Sequence, residues 1–227
     1  MIAKNIVLTI LVLWVAWWPS WSQAELRLEL GAGLATHAKR VDGLWYQNEY
    51  PNQHDLTSGA WQLGASWFTR GTPWRYGVRG AYVSLGKNSS SATVIEDEYD
   101  RGKELPCNRE TRHGNCFARI DQKTSTQGWS LGPVIERDYK WLTGQLEAGL
   151  FFGESSVSAD VAPISRSGEA QFNVTNNWSF RTWYAGAGMR YGYLTLNTRW
   201  YQNLAATGGF FGPRHAYTVM IGTSIPF

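Results

Sequence analysis

Four histidines, two cysteines and a scattered set of arginines and glutamates are the residues of this chain with chemistry to offer. His37, His54, His113 and His215 are the candidate bases, and Ser84, Ser89 and Ser155 the candidate hydroxyl nucleophiles. A hydrolase or acyltransferase needs the base within hydrogen-bond reach of the nucleophile and a third group to orient it. Asp42 follows His37 closely enough in sequence to be that group, but no local motif ties His, Ser and acid together. The expected state of each histidine is therefore a solvated loop residue, and no catalytic residue is assigned. Cys107 and Cys116 stand in a polar stretch, ELPCNRETRHGNCFAR. With His113 they make a poor metal set, since zinc wants four ligands. No metal and no cofactor is expected.

The charged set is more informative because of where it falls. Arg27, Glu29, Arg75, Arg79, Glu136, Glu147, Arg190 and Arg199 all occupy one parity of segments that alternate with period two. Leu26, Leu28, Leu30 and Leu34 alternate with Arg27, Glu29, Gly31 and Gly33. Trp74, Tyr76 and Val78 alternate with Arg75, Gly77 and Arg79. Leu142, Leu146, Leu150 and Phe152 alternate with Thr143, Gln145, Glu147 and Gly149. Five further segments, beginning near Trp61, Trp129, Trp183, Leu194 and Tyr217, do the same. Eight segments of roughly ten residues match the length of a tilted strand that crosses a bilayer.

The gaps between them alternate in length. Arg70 to Pro73, Asp138 to Lys140 and Tyr191-Gly192 are short, whereas 35–57, 86–126, 154–178 and 202–215 are long. Short turns at one end and long loops at the other predict an all-β, eight-stranded antiparallel up-and-down transmembrane β-barrel, with short periplasmic turns and long extracellular loops. An even strand number closes such a ring and leaves no edge in lipid. A soluble barrel would carry its bulky apolar residues inside. Here the bulky set includes tryptophans and tyrosines clustered at both segment ends, as in the two interfacial girdles of a membrane barrel. The charged parity then lines the lumen, where charges must be paired. An eight-stranded interior is only wide enough for its own side chains, so a wide pore is excluded.

Composition agrees. The 227 residues are 43% hydrophobic and 15% aromatic, with 13 Trp and 11 Tyr, and the formal net charge is +3. Lys and Arg form no blocks, so the footprint of a nucleic-acid binder is missing. Lys4, the apolar stretch Ile6 to Trp18 and Ser22-Gln23-Ala24 read as a cleaved signal peptide over residues 1–24, leaving the barrel as residues 25–227. Export to an oxidising compartment predicts a Cys107–Cys116 disulfide in the second long loop.

The final strand, HAYTVMIGTSIPF, spaces Tyr217, Val219, Ile221, Ile225 and Phe227 with the outward parity and ends on an aromatic ring. It resembles the C-terminal signature of Gram-negative outer-membrane proteins, which the barrel assembly machinery reads. Residues 25–227 are similar in layout to the small eight-stranded outer-membrane barrels: the OmpA transmembrane domain, the OmpX/Ail group and the lipid A-modifying barrels. That resemblance implies an outer-membrane location and contact with lipid and lipopolysaccharide. Three functions fit it. The first is a non-enzymatic surface protein serving envelope integrity, adhesion or ligand binding, with a protein or glycan met by long loops rich in Tyr, Trp and Asn. The second is a lipid A acyltransferase or deacylase. The third is a narrow channel for small solutes. The deacylase pattern His-x-Ser-Asn, the palmitoyltransferase Asp-Ser pair and its leading helix are missing, which favours the first. Arg112, Arg119, Arg166 and Arg214 are candidate partners for lipid A phosphates.

Overall fold

The computed structural model describes residues 24–37, 53–69, 71–95, 117–163, 171–202, 204 and 215–227. The leader expected over residues 1–24 lies, apart from Ala24, outside them. So do Cys107, Cys116, His113, Asp42, Arg112, Arg166 and Arg214.

The described chain is all β. In order it forms β1 (Ala24–His37), β2 (Gln53–Asp55), β3 (Thr57–Thr69), β4 (Trp74–Ile95) and β5 (Phe117–Tyr139). It continues with β6 (Leu142–Pro163), β7 (Phe172–Tyr191), β8 (Leu194–Gln202) and β9 (His215–Pro226). Eight of these pair antiparallel in the order β4-β3-β1-β9-β8-β7-β6-β5, and β5 pairs back on β4. The ring is therefore closed, and its first and last strands are neighbours, with Leu28 opposite Ile225 and Leu34 opposite Val219. β2 is a short strip lying on Ser89–Ser91 of β4, outside the ring proper. The tight connections use left-handed backbone where they reverse: Lys140 has φ 51° between β5 and β6, and Gly192 φ 57° between β7 and β8.

Alternation sorts the side chains onto two faces, because successive residues of a strand point oppositely. The bulky apolar parity points outward: Ile221 is 66% exposed and Leu146 64%. Leu28, Leu63, Val78, Leu131, Leu150, Met189, Leu196 and Val219 share that wall. Aromatic residues rim it at both ends. Trp61, Tyr82 and Trp129 touch in a chain, with ring centroids 5.7 and 5.2 Å apart. Trp183 meets Trp200 at 5.1 Å. At the short-turn end Trp141 stacks edge-on against Tyr191 at 5.8 Å, and Arg137 lies over Trp74 and Tyr139. A continuous apolar belt around a closed sheet is far larger than the patches soluble monomers expose. It suits the inside of a bilayer.

The long connections differ from the sequence expectation. β4 to β7 have 22, 23, 22 and 20 residues, against 14, 13, 9 and 12 for β1, β3, β8 and β9. About ten residues suffice to cross a bilayer. Residues 86–95, 117–126, 154–163 and 172–178, expected in loops, are strand, and they carry one side of the barrel well past the upper aromatic rim. They alternate too, but with less contrast: Ser, Thr and Gln share the inner face with Val157 and Ala159, and Ser, Gln, Asn and charged residues such as Lys87, Lys123 and Glu154 share the outer one. Gly86, with φ 76°, makes the bulge at which the β4–β5 register shifts, between Ser84 and Lys87.

Candidate functional site

The barrel interior has three layers. The one nearest the short turns is ionic. Glu136 is fully buried and accepts from Arg27 at 2.8 and 2.9 Å and from Arg75 at 3.1 Å, with Arg190 3.8 Å away. Glu25 takes the Arg27 Nε at 2.5 Å, and Asp138 takes Arg75 at 2.6 Å. Above them, Glu147 accepts from Arg199 at 2.6 Å and Arg79 at 2.9 Å. Glu29 pairs with Arg79 at 2.8 Å and accepts the Ser66 hydroxyl at 2.5 Å. Gln145 joins the two groups, donating to Glu136 at 2.5 Å and accepting from Arg79 at 3.2 Å. The five arginines thus face five carboxylates, and the network is neutral. All eight charged residues singled out in the sequence lie in it. Glu25, Asp138, Gln62, Gln145 and Ser66 complete it. The inward parity of Gln62, Gln145 and Ser66 was visible in the sequence, whereas Asp138, read as part of a short turn, lies in β5; parity alone does not say which polar side chain reaches which.

The second layer is apolar and aromatic. Phe151, Tyr184, Tyr201, Met220, Val83 and Leu85 are buried in one cluster with Ala35, Ala60, Ala81 and Ala216. Phe151 meets Tyr201 at 5.1 Å, Tyr184 meets Tyr201 at 5.8 Å, and Arg199 lies 5.5 Å below the Tyr184 ring. This layer caps the ionic one and separates it from the third, a band of buried Thr124, Thr126, Ser155 and Gln122 inside the extended wall. The side chains of Arg27, Arg79 and Glu136 are at most 1% exposed, whereas Glu25 and Asp138 are 24% and 34%. The exposed members of the network, Glu25 and Asp138, thus lie at the short-turn mouth, and the buried charges lie between them and the rings.

Two of the histidines, His37 and His215, sit otherwise than expected. His37 is not solvated: it is 2% exposed inside the upper barrel, its Nε2 3.4 Å from the Leu85 carbonyl. Ser58 donates to that same carbonyl at 2.5 Å. The reason is parity, which turns the last residue of β1 inward. His215 is half-buried and stacks on Trp200 at 5.6 Å. Of the seryl candidates, Ser155 bonds to Thr126 at 2.7 Å and Ser84 to the Gly86 amide at 3.4 Å. Among the described residues no hydroxyl is hydrogen-bonded to a histidine, and no group of acids, His and Cys could hold a metal. Arg119 is exposed and paired with Asp121 at 3.2 Å. Tyr217, Val219, Ile221, Ile225 and Phe227 all lie exposed on the outer wall of β9.

No protein-family model matches the chain, and no curated protein matches it. Among solved structures it is similar to Neisserial surface protein A (NspA), at 10% identity and a TM-score of 0.38, over 91% of this chain and 98% of that one. It also aligns with a triple mutant of Rhodopseudomonas blastica porin, at 9% identity and a TM-score of 0.18, over 90% and 100% of the two chains. The class of the protein follows from its own two faces. A closed ring of eight antiparallel strands, apolar outside and ionic inside, is a β-barrel built to stand in a membrane.

Proposed function

We propose that this chain is an outer-membrane surface protein of a Gram-negative bacterium, exported by a cleaved signal peptide, with a sealed barrel and no enzymatic role. The observation that carries this reading is the filled interior. Neutral ion pairs occupy the lower lumen, an aromatic layer closes it, and no base meets a nucleophile among the described residues. What remains for function is the outer surface, above all the extended wall of β4 to β7 and the connections it bears. In this reading the β9 outward stripe is the assembly signal, and the lipid of the outer membrane, including lipopolysaccharide, is the standing partner. A protein or glycan outside the cell is met by the surface above the upper rim.

Two measurements on one preparation test it. Purified protein in planar bilayers is expected to give no conductance steps. Lipid A from cells with and without the protein is expected to have the same mass spectrum. Discrete openings would replace the reading with a narrow channel. Gain or loss of one acyl chain would replace it with an enzyme, and His37 and Ser58 would then be the residues to mutate.

A further inference from the structure

The outer face of the extended wall changes character within one step of the upper rim. The strand register sets outward residues in rows. Tyr82, Trp129, Phe152 and Arg181 form the rim row. The next is Ser84, Gln127, Glu154 and Ser179, and the one above it Lys87, Ser125, Ser156 and Asn177. These two polar rows hold a pocket of about 450 Å³, lined by outward Ser125, Gln127, Glu154, Ser156, Asn177 and Ser179, with Ser155 and Trp178 of the row between them also in its lining. Three exposed cations surround it: Arg181 below, Lys87 beside it and Lys123 one row higher. Neither Lys87 nor Arg181 has an ion-pair partner among the described residues.

Height decides what the pocket meets. Two residues of strand rise about 7 Å, or about 5 Å along the membrane normal at a tilt near 40°. The pocket therefore stands about 5–10 Å above the hydrocarbon edge marked by Trp129 and Phe152. The polar region of one leaflet is about 5–8 Å deep. A lipid lying on the Trp129–Phe152 wall places its headgroup there.

We infer that this face is a binding site for a phosphorylated saccharide headgroup of a membrane lipid. Carboxamide, carboxylate and hydroxyl side chains offer the mixed donors and acceptors that sugar hydroxyls need. The three cations hold the phosphates. A peptide added as a strand is disfavoured, because the pocket lies on the face of paired strands and their backbone groups are already bonded to neighbours. The inference rests on the membrane-barrel reading and deepens its lipid partner.

Native mass spectrometry of the full chain released from detergent micelles tests it. The probes are lipopolysaccharide without O-chain, phosphatidylethanolamine, and soluble glucosamine 6-phosphate. The wild type is expected to retain the glycolipid and neither of the others. The Lys87→Ala/Lys123→Ala/Arg181→Ala variant is expected to lose at least about tenfold in retention. Gln127→Ala/Asn177→Ala is expected to weaken retention with the cations intact. All these side chains are exposed or lie outside the lumen, so each variant should keep the heat-sensitive gel mobility of a folded barrel. Equal retention by the triple variant would overturn the site, as would equal retention of phosphatidylethanolamine. Equal binding of the soluble sugar phosphate would overturn the lipid source. If the membrane-barrel reading itself were wrong, the wild type would show no heat-sensitive mobility and no insertion into vesicles, a failure distinct from loss of the glycolipid.

Discussion

Replacing Glu147 by Gln probes the ionic interior at its most constrained point. Glu147 accepts from Arg199 at 2.6 and 3.2 Å and from Arg79 at 2.9 Å, and all three side chains are at most 2% exposed. Gln has the same shape but no charge. Arg79 would keep Glu29 at 2.8 Å. Arg199 would keep only a neutral partner, the Gln62 carbonyl at 2.5 Å, and would be left as a buried charge with no carboxylate. Breaking one side of a buried pair costs about 3–5 kcal/mol, whereas removing both sides together is often neutral. Most of the loss should therefore come back in Glu147→Gln/Arg199→Met. Urea unfolding in lipid vesicles, followed by tryptophan fluorescence, reads it. With slopes of about 1–3 kcal/mol per molar urea, the single variant's midpoint should drop by at least about 1 M. A single variant within about 0.3 M of wild type would refute the claim that these charges are sealed from water. So would a double variant weaker than the single one.

Other perturbations test other parts. A Cβ on Gly132 would lie 2.1 Å from the Ala148 carbonyl, while one on Gly59 would meet nothing within 4 Å. Gly132→Ala should therefore lower the yield of folded barrel on a heat-mobility gel, and Gly59→Ala should leave it unchanged. Leu146 lies midway between the two aromatic rims on the outer wall. Leu146→Arg should cost about 2–4 kcal/mol of folding into vesicles. Ser156→Arg, on the same strand above the upper rim, should cost under about 0.5 kcal/mol by the same titration. Phe151→Ala/Tyr201→Ala removes the two rings that meet at 5.1 Å. It should cost at least about 3 kcal/mol on the same urea titration, while the ion pairs below keep the barrel silent in planar bilayers.

Most of the ring was legible in the sequence because lipid on one side and packed charge on the other force a strict alternation. Leu28 beside Glu29, Val78 beside Arg79 and Leu146 beside Glu147 each declare a strand and its facing at once. The extended wall was not legible for the same physical reason turned round. Above the rim both faces meet water or polar neighbours, so Lys87 to Ser91 and Asp121 to Thr126 show no contrast in polarity and read as loop. The aromatic seal was half visible. Tyr184 and Tyr201 fell on the charged parity and Phe152 on the outward one, which turns Phe151 inward, but parity does not say that these rings meet across the lumen. His37 read as a loop residue because the alternation was followed only to Leu34, whereas three more residues of pairing, Ala35 to His37 against Thr218 to Ala216, carry it into the strand and decide its side.

The central claim is that one parity of every ring strand faces lipid and the other a sealed lumen. Spin labels placed one at a time on cysteines substituted at 217 to 221 of β9, with Cys107 and Cys116 replaced by serine, test it in vesicles. Accessibility to oxygen, which concentrates in lipid, should be high at Tyr217, Val219 and Ile221 and low at Thr218 and Met220. An accessibility profile without period two, or with the parity inverted, would contradict it.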